Sequence, residues 1–197
     1  MDRTRITLIA ALLTIGSSAQ RVVPFGTGAA ARIQDMEVWN GQLVVAGDAT
    51  MELLGVEGDE IQSWDGNQVF SFPDLFGTVA IERSLKALDG ELYVAGRIAP
   101  MGNVVRWDGS AWQTVGEGLP EYVTELCVHD GQLHAGTRDG LVCRWNGTVW
   151  DTVGGRFNDD VRTVVSHQGE LYAGGWFTAD ANGNFSAVSA TTDVTGA

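Results

Sequence analysis

The sequence predicts an all-β protein: a β-propeller of about four four-stranded antiparallel blades, either closed by a strand from the N-terminus or left as a partial ring. Three observations carry that expectation. Glycine supplies 26 of the 197 residues, about 13 % against roughly 7 % in an average chain, and with no three-residue period it marks many tight turns between short elements. A turn-and-strand phrase recurs four times, and a second hairpin phrase follows each of its first three occurrences. Two phrases repeated in a fixed order define a duplicated unit.

The first phrase reads Asn40-Gly41-Gln42-Leu43-Val44-Val45-Ala46-Gly47, then Asp89-Gly90-Glu91-Leu92-Tyr93-Val94-Ala95-Gly96, then Asp130-Gly131-Gln132-Leu133-His134-Ala135-Gly136, then Gln168-Gly169-Glu170-Leu171-Tyr172-Ala173-Gly174. Its turn glycines, Gly41, Gly90, Gly131 and Gly169, are 49, 41 and 38 residues apart. Asn-Gly and Asp-Gly accept the positive φ of a two-residue turn, and apolar or β-branched residues flank them, so each phrase reads as a hairpin. The second phrase is Trp64-Asp65-Gly66, then Trp107-Asp108-Gly109-Ser110-Ala111-Trp112, then Trp145-Asn146-Gly147-Thr148-Val149-Trp150. The same logic predicts a second tight turn, with Trp107 facing Trp112 and Trp145 facing Trp150 across it. In the third unit the four strands are expected at 123–129, 133–136, 141–145 and 150–153. A sheet of this size cannot bury its faces alone, and radial stacking lets each sheet cover its neighbours.

The units resemble the kelch and galactose-oxidase-like propeller repeats, in particular the form of secreted bacterial proteins in which a Gly-x-Leu-Tyr-Val-Ala-Gly strand precedes a Trp-Asp-Gly-Ser-x-Trp hairpin. The resemblance runs from about Val22 to Val194 and implies a scaffold that enzymes, receptors and adhesive modules share. The repeat divides the chain into units at about 29–77, 78–118, 119–156 and 157–197. Unit four has the first hairpin and a third strand near Phe185 to Thr192, with Thr192-Asp193 where Trp-Asp is expected. Residues 20–28, which include Val22-Val23-Pro24-Phe25-Gly26, match an outer strand and would complete that last blade, removing an open edge. A fragment of a longer ring, or chains that associate to finish one, are the alternatives.

Ahead of the repeats, Arg3 and Arg5 lead into the apolar run Ile6 to Ile15, and Ser17 and Ala19 supply small side chains. That order reads as an export signal over residues 1–19 with cleavage after Ala19. The run is too short for a bilayer span, which needs roughly 20 residues. The expectation is a secreted or cell-surface protein, with 20–197 as its repeat domain and no insertion into the membrane. Its 25 acidic residues outnumber 12 basic ones, for a net charge of −13, and Lys86 is the only lysine. Nucleic acid is therefore excluded as a partner, since counterion release needs a cationic surface. The expected partner is a protein or glycan ligand, with self-association if the ring is incomplete.

Cys127 and Cys143 are the only cysteines. In the repeat register they fall on the first and third strands of one sheet, roughly 10 Å apart and too far to bridge. They read as two buried thiols, although an oxidising compartment permits pairing. His129 and His167 share one repeat position, which Trp39 and Leu88 fill in the other units. With His134 they could ligate a metal, but a position that accepts bulky side chains throughout reads as packing, and no metal site is expected.

No catalytic set stands out. A copper radical oxidase would need tyrosine and histidine ligands, yet the three tyrosines are Tyr93, Tyr122 and Tyr172, and two of them belong to the repeat. Asp108-Gly109-Ser110-Ala111-Trp112 also lacks the leading Ser of the sialidase-type hairpin. The candidate ligand-binding residues lie where the units differ: Glu52, Glu57 and Asp59, beside Glu60 in a unit-one insertion, and Asp180, Asn182 and Asn184 in a unit-four loop. The latter begin like a calcium loop, but the glycine comes at the fourth position and no Glu closes it, so calcium is the one cofactor left open. Deleting Met51 to Glu60 is expected to leave the fold intact. The function expected is a secreted, non-catalytic module that binds through its loops. The alternatives are a polysaccharide-acting enzyme with Glu57, Asp59 or Asp180 as acid and base, or a fragment of a larger cell-surface protein.

Overall fold

Alternating apolar residues and glycine turns produce strands throughout the computed structural model, which describes residues 32–47, 51–75, 83–98, 101–180, 182–183 and 188–191. Every regular element among them is a strand. The leader at 1–19, the candidate closing strand at 20–28, Asn184 and Thr192-Asp193 lie outside the described residues. Blade one comprises β1 (Ile33–Trp39) and β2 (Gln42–Gly47), then a separate hairpin of β3 (Met51–Leu53) and β4 (Val56–Gly58), then β5 (Ile61–Trp64) and β6 (Val69–Ser71). Blade two is β7 (Arg83–Leu88), β8 (Glu91–Gly96), β9 (Val104–Trp107) and β10 (Trp112–Thr114). Blade three is β11 (Val123–His129), β12 (Gln132–Thr137), β13 (Val142–Trp145) and β14 (Trp150–Val153). Blade four has β15 (Val161–His167), β16 (Glu170–Gly175) and β17 (Val188–Thr191). The first three sheets have four strands in the orders β1-β2-β5-β6, β7-β8-β9-β10 and β11-β12-β13-β14, and the fourth has three. All pairings are antiparallel. The described residues form an all-β, propeller-like stack of four blades.

The two recurrent turns differ physically. In the first, both central residues have positive φ, 47° and 73° at Asp130 and Gly131, for example. This is the primed turn whose twist matches the flanking strands. In the second, the pairing of Trp107 with Trp112 and of Trp145 with Trp150 encloses four residues, so the two-residue expectation is corrected there. Only the glycine has positive φ in these loops. The residue before it closes the loop instead: Asp108 Oδ1 accepts the N–H groups of Ser110 and Ala111 at 2.8 Å each, and Asn146 Oδ1 those of Thr148 and Val149 at 3.0 Å. The facing tryptophans touch as anticipated, with ring centroids 5.1 and 5.5 Å apart.

The core is divided between blades. One cluster joins Val44, Ala46 and Ile61 of blade one to Leu85, Leu92 and Val94 of blade two. A second joins Tyr93, Ala95 and Val104 to Leu126, Leu133 and Ala135. A third joins Cys127 and Val142 to Val164, Leu171 and Ala173. The segment leaving each blade caps the next one's tryptophans: Trp112 Nε1 donates to Pro73 O at 2.9 Å and Trp150 Nε1 to Val115 O at 3.1 Å. Cys127 packs toward blade four and Cys143 toward blade two, so both thiols are free and buried on opposite faces of one sheet. Burial raises the Cys127 pKa and pushes Cys143 up to about 11.

Candidate functional site

The inner strands β1, β7, β11 and β15 lie side by side in that order, and their alternation turns every second side chain toward one neighbour or the other. Along β7, β11 and β15 this leaves a groove of about 460 Å³ lined by Lys86, Glu125–Val128 and Thr163–Ser166. Lys86 Nζ spans the blade boundary to Glu37 Oε2 at 3.0 Å. Burial works to lower the Lys86 pKa, but the hydrogen bond to Glu37 and the charges of Glu37, Asp35 and Glu125 offset it, and the net direction is upward. Burial raises the pKa of Glu125, and the nearby Asp35 charge works in the same direction.

The carboxylates are held by contacts between blades. Asp35 Oδ2 accepts the Leu85 N–H at 2.6 Å. Ser84 Oγ accepts the Leu126 N–H at 2.9 Å and donates to Glu125 Oε1 at 3.2 Å. One ammonium therefore faces three carboxylates, an excess of negative charge in a concave, partly desolvated place where fields are focused. None of these four charged residues is among the ligand-binding candidates that the sequence offers. The repeat held a signal, since Glu37, Lys86, Cys127 and Val165 each stand four residues before a turn glycine.

The residues expected to bind ligand are dispersed. Glu52 and Glu57 are directly opposed on β3 and β4, and the Asp59 N–H donates to Ser71 Oγ at 3.0 Å. Asp180 belongs to blade four, where its Oδ1 accepts the Asn182 N–H at 2.8 Å in an ordinary Asx turn. The hairpin and the Asp180 loop thus sit on the first and last blades. His129 and His134 pack edge to face at 5.4 Å, with His129 Nδ1 2.9 Å from Ser166 Oγ, while His167 lies against Tyr172. Among the described residues no group of three or more His, Cys, Asp or Glu is placed to hold a metal ion.

The β3–β4 hairpin departs from the sequence reading in one respect. Met51 and Leu53 are buried with Val45, against Leu43, Trp64 and Val69. The insertion is an apolar lid on blade one's free face, and its removal would expose core.

The fold and groove define a class of protein, a propeller with a charged axial groove. No family model matches the sequence, and no curated protein matches it either. Solved structures do. The computationally designed Ika4 protein superposes with a TM-score of 0.55 at 15 % identity, covering 87 % of this chain and 98 % of that one. The extracellular domain of a one-component system from B. thetaiotaomicron gives 0.58 at 13 % identity, covering 86 % of this chain and 23 % of that one. The designed Ika8 protein gives 0.51 at 17 %, covering 79 % of this chain and half of that one. At these identities the likeness is one of fold.

Proposed function

We propose that this protein is a non-catalytic binding module, exported and displayed outside the cell, that takes a basic segment of a protein ligand in its axial groove. The observation that carries the reading is the groove itself, with Glu125, Glu37 and Asp35 gathered about the single ammonium of Lys86. A guanidinium or ammonium from a ligand would compete for these carboxylates and restore the local charge balance. The leader-like residues 1–19 and the kelch-like phrases support export and a scaffold role.

The test is a titration with short arginine-containing peptide amides, their neutral counterparts and neutral oligosaccharides, followed by amide chemical shifts. The cationic peptides should shift β7, β11 and β15, and Glu125→Gln should weaken them several-fold. Binding of neutral oligosaccharides in preference, or indifference to Glu125→Gln, would overturn the assignment.

A further inference from the structure

Each blade offers one face to the blade before it and another to the blade after it, and repeat register identifies the residues that do so. The position of Met36 is filled by Leu85, Leu126 and Val164 in the later blades, and all three are buried against the preceding blade. Met36 is 59 % exposed and Val38, on the same side of β1, is 64 % exposed. At the other end, Val165 is the equivalent of Cys127, which is buried against blade four, yet Val165 is 53 % exposed. Trp176 follows β16 where Arg97 and Arg138 follow β8 and β12. Arg97 stacks over Tyr122 and Arg138 pairs with Asp160, each in the succeeding blade, whereas Trp176 is 64 % exposed and carries Arg162 of its own blade over its ring at 4.9 Å. The first and last blades therefore carry the two matching halves of the internal blade interface. No packing comparable to that between neighbouring inner strands joins β15 to β1 among the described residues.

We infer that a second copy of this chain closes the ring, β15 and β16 of each copy seating on β1 of the other to form one eight-blade propeller with two identical contacts. The occupant follows from continuity with the internal interface, in which the closest approach is always the inner strand of one blade on the first two strands of its predecessor. The β3–β4 lid covers the outer part of this face, resting on Ile33, Leu43, Val45, Trp64 and Val69, and leaves Met36 and Val38 exposed at the inner strand. Two copies give eight blades, within the range of about four to eight that propellers occupy, and a cyclic pair leaves neither face bare.

Sedimentation equilibrium of the full chain at micromolar concentration should return twice the monomer mass. Met36→Asp and Val165→Asp should each dissociate it, weakening association by roughly 100-fold because a carboxylate would enter an apolar contact. Both side chains are exposed in the single chain, so unchanged circular dichroism is expected of the monomers. Mixing the two variants is the discriminating step: each retains the half that the other lacks, so the pair should recover a dimer through one contact. A monomeric wild type, an assembly larger than two, or failure of the mixture to associate would overturn the proposal. So would a Met36→Asp variant that stays dimeric while Val165→Asp falls apart, which would mean that two blade-four faces pair with each other.

Discussion

At Gly116 the backbone has φ of +63°, and a Cβ built there would lie 2.6 Å from Trp145 Cζ3. The glycine is required twice over, by the left-handed conformation and by the tryptophan of the next blade. Gly116→Ala should cost about 2–5 kcal/mol, summing the left-handed penalty and the overpacking, as a shift in the urea midpoint with little change in slope. Asp108 presents a charge effect at the same scale. N–H donors from Ala111 and Ser110 and the Ser110 hydroxyl hold its carboxyl down to about 2, against 3.8 for a free aspartate. A depressed folded-state pKa means that the stabilisation is complete above the unfolded value and is lost as pH falls through the folded one. Asp108→Asn should keep the loop, as Asn146 does in blade three. It should also remove this contribution to acid destabilisation between about pH 4 and 2, read from unfolding curves of the two proteins across that range.

Among the elements, the β3–β4 hairpin shows how a stretch of carboxylates can mislead. Glu52, Glu57 and Asp59 suggest a solvated binding loop, but alternate residues Met51 and Leu53 point the other way and are 1 % and 2 % exposed. Leu53→Ala should destabilise by about 2–5 kcal/mol, the range for truncating a buried leucine, whereas Glu57→Gln should leave stability within about 0.5 kcal/mol as a surface change. Thermal unfolding of both variants separates a lid from a ligand loop. The strands themselves were readable, because turn residues and alternation are local: 123–129 and 150–153 of the third unit coincide with β11 and β14. The groove was not. Lys86, Glu37 and Glu125 come from three blades, and no local pattern says that they meet.

For the whole molecule, stability in a stack of blades is a sum of blade terms and nearest-neighbour interfaces. Blades two and three are flanked on both sides by clusters of buried residues, whereas among the described residues of one chain blade four shares such a cluster with blade three alone. Amides of β12 should therefore exchange with solvent at least tenfold more slowly than those of β16 in dilute protein. Exchange of β16 should slow as concentration rises if a second copy covers it, a readout independent of mass. Equal protection of β12 and β16 at every concentration would show that unfolding is global and that the end blade is no weaker than the rest.

The sequence by itself determined the all-β character, the repeated hairpins, the pairing of Trp107 with Trp112 and Trp145 with Trp150, and the separation of Cys127 from Cys143. Each follows from interactions a few residues apart, where turn chemistry and strand alternation leave few alternatives. Only the tertiary structure decided that Asp35, Glu37 and Glu125 surround Lys86, that Met51 and Leu53 cover blade one, and that Met36 and Val165 stand exposed at the two ends. Those outcomes depend on which blade lies beside which, and contacts between residues about 40 to 50 positions apart are set by how whole sheets stack.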